Sequence, residues 1–288
     1  MKKYEVENKA PSLLPDGEWK LVWHDEFDKG VLDRSKWDFR TSMMGKPCKQ
    51  WITEEGIEFD DDNIIFKLIE KDGVYCSSQL QTGYNFMDGS SETFDALKNE
   101  SKTAENTNVD YFSWPIGEIK EPKFMKKYGY FECRFKLQEK NGWWSAFWLQ
   151  SDIIGSTLNP EFSGVEVDIM ESFCRNNVIQ HANHWNGYGS QHRGTGAINV
   201  ELKDTEDGYH TAGLHWTKDF YRYYVDGVLT YEIKAGGEFP VSQKEQFLLV
   251  STEAVGYRCS AWNDWNNLKK AVGDKFIVDY VRVFDEVK

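Results

Sequence analysis

The sequence predicts an all-β protein, a two-sheet antiparallel β-sandwich, and three observations predict it. Strand-like runs recur along the whole 288-residue chain, while helical periodicity is scarce. The dipeptide Asp226-Gly227 sits between Tyr224-Val225 and Val228-Leu229, a strong hairpin signal because a tight turn there needs residues that tolerate positive φ. No stretch approaches the roughly 20 apolar residues of a membrane span, so the 40% hydrophobic and 15% aromatic content is available to one sizeable core.

The strand signals fall at 19–27, 64–71, 128–137, 146–150, 165–173, 180–186, 209–216, 220–225, 246–252 and 275–284. Within 128–137, Phe131, Cys133 and Phe135 share one face by alternation, which reads as a buried thiol in a core strand. Within 143–149, Trp144, Ala146 and Trp148 share one face, and Trp143, Ser145 and Phe147 the other. The polar stretch 88–108, rich in Ser, Glu, Asn and Thr, reads as a surface insert. With no internal repeat and no separating linker, 1–288 is expected to form a single domain, since all-β sandwiches reach this length undivided. Five cysteines (Cys48, Cys76, Cys133, Cys174, Cys259) are odd in number and lack metal-site spacing. The net charge of −13 argues against a nucleic-acid partner, which needs a basic footprint.

The most informative stretch is Gly164-Val165-Glu166-Val167-Asp168-Ile169-Met170-Glu171. Three carboxylates stand inside a run that otherwise reads as a buried strand, where an unpaired charge costs several kcal/mol. Strand alternation puts Glu166 and Asp168 on one face and Glu171 on the opposite one. A β-bulge at Ile169 or Met170 would bring Glu171 back, and bulges are frequent beside active sites. Two converging carboxyls suit glycoside hydrolysis with retention, in which nucleophile and acid/base stand about 5–5.5 Å apart. Asp168 between them would raise the proton affinity of the acid. The alternative is an edge strand with a solvated acidic face, against which Ile169, Met170 and Phe173 argue by their apolarity.

In these residues the chain resembles glycoside hydrolase family 16, whose bulged branch carries Glu-x-Asp-x-x-Glu, matched here by Glu166, Asp168 and Glu171. Further likeness lies in Trp23-His24-Asp25-Glu26-Phe27-Asp28, Tyr128-Gly129-Tyr130-Phe131-Glu132-Cys133-Arg134, Trp143-Trp144-Ser145-Ala146-Phe147-Trp148-Leu149 and Tyr280-Val281-Arg282-Val283. The resemblance implies a jelly-roll, concanavalin-like sandwich in which Glu166 is the nucleophile, Glu171 the acid/base and Asp168 the assisting carboxylate. The family's laminarinases usually carry Trp-Pro shortly before the motif and Asn in a cleft strand near the C-terminus. Here Glu161-Phe162-Ser163 and Phe247-Leu248-Leu249-Val250-Ser251-Thr252-Glu253 stand instead. These departures bear on the sugar and leave the reaction class.

Carbohydrate clefts use aromatic platforms with a polar handle, and the resemblance favours Trp144 and Trp148 beside the sugar and His184 as a cleft histidine. Trp51, Trp114, Arg134, Asn183, Glu253 and Arg258 are further substrate-binding candidates. His181 and His184 show no third convergent ligand in the sequence, so no histidine metal site is expected. No cofactor is expected for catalysis. Similar sandwiches carry a structural calcium on the convex side, and the resemblance points to Glu26 and Asp279 as its ligands.

The leading expectation is a retaining endo-β-glycosidase acting as a monomer on a polysaccharide, first a β-1,3- or mixed-linkage glucan. An agarase- or porphyranase-type β-galactanase, a transglycosylase and a non-catalytic carbohydrate-binding sandwich are the alternatives. A basic residue beside the Trp platforms would favour a sulfated galactan. Met1-Lys2-Lys3-Tyr4-Glu5 lacks the apolar segment of a signal peptide. The family is mostly exported, so the expectation is a secreted, periplasmic or cell-surface protein with a trimmed leader, the alternative being an atypical cytosolic enzyme.

Overall fold

A computed structural model describes residues 1–43, 46–47, 52–88, 119–175, 177–188, 191–254 and 265–287. Among these residues, two eight-stranded antiparallel sheets face each other. The first runs in the order Arg193–Gly194, Val178–Trp185, Glu166–Arg175, Trp144–Gln150, Phe247–Glu253, Gln79–Gln81 and Asp38–Phe39, with Ile198–Glu201 also paired to Val178–Trp185. The second runs Val228–Lys234, Phe220–Val225, His210–Trp216, Gly129–Lys136, Lys275–Glu286, Ile64–Lys67 and Ile57–Phe59, with Trp19–Asp25 also paired to Lys275–Glu286. This is the predicted sandwich.

The period of two explains the core. Phe147, Leu149, Val167, Ile169, Leu248 and Val250 point inward from the first sheet, and Phe131, Cys133, Leu214, Val281 and Val283 meet them from the second, all fully buried. Each large apolar side chain removed from water contributes about 1.5–3 kcal/mol, offset by the chain entropy lost in ordering it. The thiol of Cys133 is free and buried, as alternation predicts. Asp226 (φ 47°) and Gly227 (φ 77°) form the two-residue turn that pairs Val225 with Val228.

Two readings change. The predicted strand 64–71 divides at Leu68: Ile64–Lys67 pairs with Lys275–Val278, whereas Ile69–Lys71 turns into a hairpin with Val74–Cys76. The convex-side calcium pair is also corrected. Glu26 accepts from Arg282 Nε at 2.9 Å and Nη2 at 2.6 Å, and lies 2.9 Å from His24 Nδ1. Burial pushes the Glu26 carboxyl up, but the bonds from His24 and Arg282 outweigh it and hold it at about 2. Asp279, the residue skipped between the pairs Arg134–Tyr280 and Phe135–Val278, accepts from Arg134. Each carboxylate already holds a guanidinium, so a divalent cation would have to displace like charge, and the residues do not fit calcium.

Candidate active site

The strand Glu166–Arg175 starts immediately beyond a tight entry. Gly164 has φ 94°, and a Cβ there would stand 2.2 Å from the Ser151 side chain, so only glycine passes. Along one edge, Trp148 pairs with Asp168 and Phe147 with Met170, leaving Ile169 out of register. Along the other, Asp168 pairs with Ala182 and Glu171 with Gln180, so Ile169 and Met170 together oppose His181. This is the bulge that the carboxylate spacing requires. Both bulge residues are fully buried in the core, and Glu171 returns to the face that carries Glu166 and Asp168.

That face is floored by the next strand. Asp168 lies beside Trp148, Glu171 beside Ala146, and Trp144 beside Glu253 on the following strand. The indole Nε1 of Trp148 donates to Ser251 Oγ at 2.9 Å, and Trp144 meets Phe173 at 5.3 Å between ring centroids. Trp143 belongs to the opposite face, where its Nε1 donates to Asp274 Oδ2 at 2.9 Å. Glu253 accepts from Gln79 Nε2 at 3.0 Å.

Glu166 is held on one oxygen. The Tyr188 hydroxyl donates to Oε2, and Gln150 Nε2 donates to the same oxygen at 3.3 Å. Burial first, then the charge and hydrogen bond of Glu166, push the Tyr188 phenol well above its ordinary pKa, so it remains a donor. Asp168 Oδ2 lies 3.6 Å from His184 Nε2, and His184 Nδ1 lies 2.9 Å from His192 Nε2. Burial, more than the neighbouring His184, lowers the His192 pKa.

Glu166, Asp168 and His184 bring ligand atoms within 4.8 Å of one another. The convergent partners of His184 that spacing does not reveal are thus the two carboxylates on the neighbouring strand. The set equally suits proton and charge management around a reacting sugar, since Glu166 Oε2 already takes two neutral donors.

Two binding candidates stand elsewhere. Asn183 is on the opposite side of its strand from His184, fully buried, and accepts from Tyr223 of the other sheet at 2.6 Å. Arg134 faces outward from the second sheet, paired with Asp207 and Asp279 under the Tyr209 ring. Neither reaches the carboxylates. Trp51, Trp114 and Arg258 lie outside the described residues, as does most of the expected insert at 88–108. Sequence reading missed Arg40, Gln150, Tyr188 and His192. Gln150 was within reach of it, being two residues beyond Trp148 on the same face. The others come from segments whose spacing predicts no contact.

The profile of glycosyl hydrolases family 16 matches residues 90–280. A beta-glucanase of Rhodothermus marinus is 28% identical over 286 residues, spanning 92% of this chain and 85% of that protein. Glucan endo-1,3-beta-glucosidase A1 of Niallia circulans is 25% identical over 92% of this chain, which spans 38% of that longer protein. Among solved structures, the laminarinase from Rhodothermus marinus superposes with a TM-score of 0.66 at 22% identity, covering 95% of this chain and 100% of its own. The endo-beta-1,3-glucanase from Pyrococcus furiosus gives 0.66 at 22%, covering 99% and 98%. These structures share the sandwich. With the bulged carboxylate strand set on that sandwich and the profile running through it, the chain belongs to family 16 of the glycosyl hydrolases.

Proposed function

We propose that this protein is a retaining endo-β-glycosidase of neutral β-1,3- or mixed-linkage glucans, working as a single-domain monomer outside the cytoplasm. The observation that carries the reading is the bulge at Ile169, which sets three carboxylates on one tryptophan-floored face of a sheet. Glu166 attacks the anomeric carbon while Glu171 protonates the departing glycosidic oxygen. Glu171 then takes a proton from water, whose oxygen displaces Glu166 and restores the β-configuration. Asp168, with His184 against it, sets the charge around the acid. Trp144 and Trp148 are buried in the floor of that face, the Trp148 ring beneath Arg40 and Trp144 against Phe173, so they shape the floor beneath the sugar.

The glucan is supported by the relatives named as a beta-glucanase and a glucan endo-1,3-beta-glucosidase. A neutral sugar is supported by the state of Arg40, whose guanidinium lies 5.1 Å from the Trp148 ring. Asp88 binds that guanidinium at 2.9 and 3.0 Å, so the cation beside the platform is already neutralised. Assay on laminarin, lichenan, agarose and porphyran tests the reading. Release of oligosaccharides from laminarin or lichenan is expected, and activity confined to agarose or porphyran would overturn it. Sugar acceptors that divert most product from hydrolysis would instead mark a transglycosylase.

A further inference from the structure

We propose that Tyr188 is a positioning residue that decides which oxygen of Glu166 attacks. The inference rests on the reading of Glu166 as the nucleophile and extends it to a residue on the turn beyond Val178–Trp185. The Tyr188 hydroxyl and Gln150 Nε2 both donate to Glu166 Oε2. Among the described residues no donor reaches Oε1. Gln150 Nε2 also donates to the Tyr188 oxygen, while the phenolic proton goes to the carboxylate.

The orientation of this trio is set from behind. Arg40 Nη2 lies 3.5 Å from Gln150 Oε1, so the carbonyl end of the amide faces the guanidinium and the NH₂ end faces Glu166. Arg40 is itself fixed by two bonds to Asp88 and by the Trp148 ring beneath it. The chain Asp88–Arg40–Gln150–Tyr188 therefore reaches the carboxylate from three separate segments, 38–40, 88 and 150, and closes on the turn at 188. Such a built arrangement is pre-organised, and its donors need not move during reaction.

The chemistry follows from the choice of oxygen. A lone pair of Oε1 forms the bond to the anomeric carbon. The glycosidic C–O bond breaks, and its electron pair takes the proton from Glu171. In the ester Oε2 is a carbonyl oxygen and a weaker acceptor. When water displaces Oε1, the negative charge returns to the carboxylate and the Tyr188 bond strengthens with it. Tyr188 thus steers attack and stabilises Glu166 as the group that leaves in the second step.

Tyr188→Phe keeps the ring and removes the proton. Loss of that hydrogen bond to the charged carboxylate moves the acid limb of kcat/KM on laminarin to higher pH by about one unit or more. kcat falls on the order of 10²-fold as the carboxylate loses its orientation. The other charged groups around Glu166 are Asp168 and Glu171 on its own strand, His184 and His192 beyond it, and Arg40 with Asp88 behind Gln150. None of these is altered in the variant, so the limb reports the phenol. An acid limb that stays in place or moves to lower pH overturns the proposal. If Tyr188→Phe does not fold, Gln150→Met removes the other donor from the same oxygen and moves the same limb in the same direction, with the same outcome overturning the idea. Glu166→Gln is measured alongside. A fully active Glu166→Gln removes the nucleophile reading and the proposal together, whereas an inactive one with an unmoved limb in Tyr188→Phe removes the proposal alone.

Discussion

Nδ1 of His181 lies 2.6 Å from the carbonyl oxygen of Ile169, the residue that the bulge leaves out of register. The ring is fully buried on the core side of its strand, and its Nε2 lies 2.8 Å from Thr230 Oγ of the other sheet. A bulge frees a backbone carbonyl from the ladder, and a buried carbonyl without a donor costs about 1–3 kcal/mol. His181 supplies that donor. It thereby supports the bend that carries Glu171 to the face of Glu166.

Replacement of His181 by Phe fills the space but leaves the Ile169 carbonyl unpaired. We predict a loss of about 1–3 kcal/mol in stability and a kcat reduced on the order of 10–10²-fold. His181→Gln, which keeps an N–H donor, should recover part of both. Denaturant unfolding and steady-state kinetics check the pair, and a wild-type kcat in His181→Phe would show that the bulge stands without its pin.

Acid should weaken the fold in two windows. Burial lowers the His181 pKa to about 4, against the small upward pull of the Ile169 carbonyl. Unfolded, the ring titrates near 6.5 and binds the extra proton, so its contribution is full above that value and lost as pH falls toward 4. Glu26, held at about 2, contributes fully above about 4.5 and loses this between there and 2. Each shift corresponds to a term on the order of 3 kcal/mol. Urea midpoints from pH 7 to 3 should therefore fall in two stages, with Glu26→Gln flattening only the lower one.

The roles of the carboxylates are separable by substitution. Glu166→Gln and Glu171→Gln should each abolish turnover of a polysaccharide with the fold intact, since one loses the nucleophile and the other the proton. Asp168→Asn should be milder, on the order of 10²–10⁴-fold down in kcat, because it tunes a transfer it does not make. Near-wild-type rates in either glutamine variant would break the assignment.

Glu26 and Asp279 each hold a guanidinium, so calcium should add no stability. Melting temperatures in EDTA and in excess calcium should coincide, because a ligand that binds neither state shifts neither. A rise in Tm with calcium would contradict the account of the convex face.

Much of the sandwich was legible because its strands alternate. The faces of Trp144 and Trp148 and the bulge demanded by Glu166, Asp168 and Glu171 all follow from a period of two interrupted once. Strands such as Gln79–Gln81 and Asp38–Phe39 were not legible, being three and two residues long, each with one core-facing apolar residue, Leu80 and Phe39, beside polar neighbours. Alternation from His184 sends Asn183 inward, toward Tyr223 and away from the face of the carboxylates. Arg134 and Asp279 find each other across two strands of the opposite sheet, and a motif match carries no information about which sheet face it occupies. Tyr188 and Arg40 reach Glu166 and Gln150 through tertiary contacts of distant segments, which local spacing does not encode.

The central claim is that Glu166 and Glu171 converge on one face and act in two displacements. The configuration of the first-formed product tests it most directly, because a water-sized gap of about 6.5–9.5 Å between the carboxyls would give inversion instead. Proton NMR of a β-1,3-glucan oligosaccharide, followed from the moment of enzyme addition and ahead of mutarotation, reads the new reducing end. The account predicts the β-anomer first, with α appearing only as it equilibrates. An initial α-anomer would contradict it.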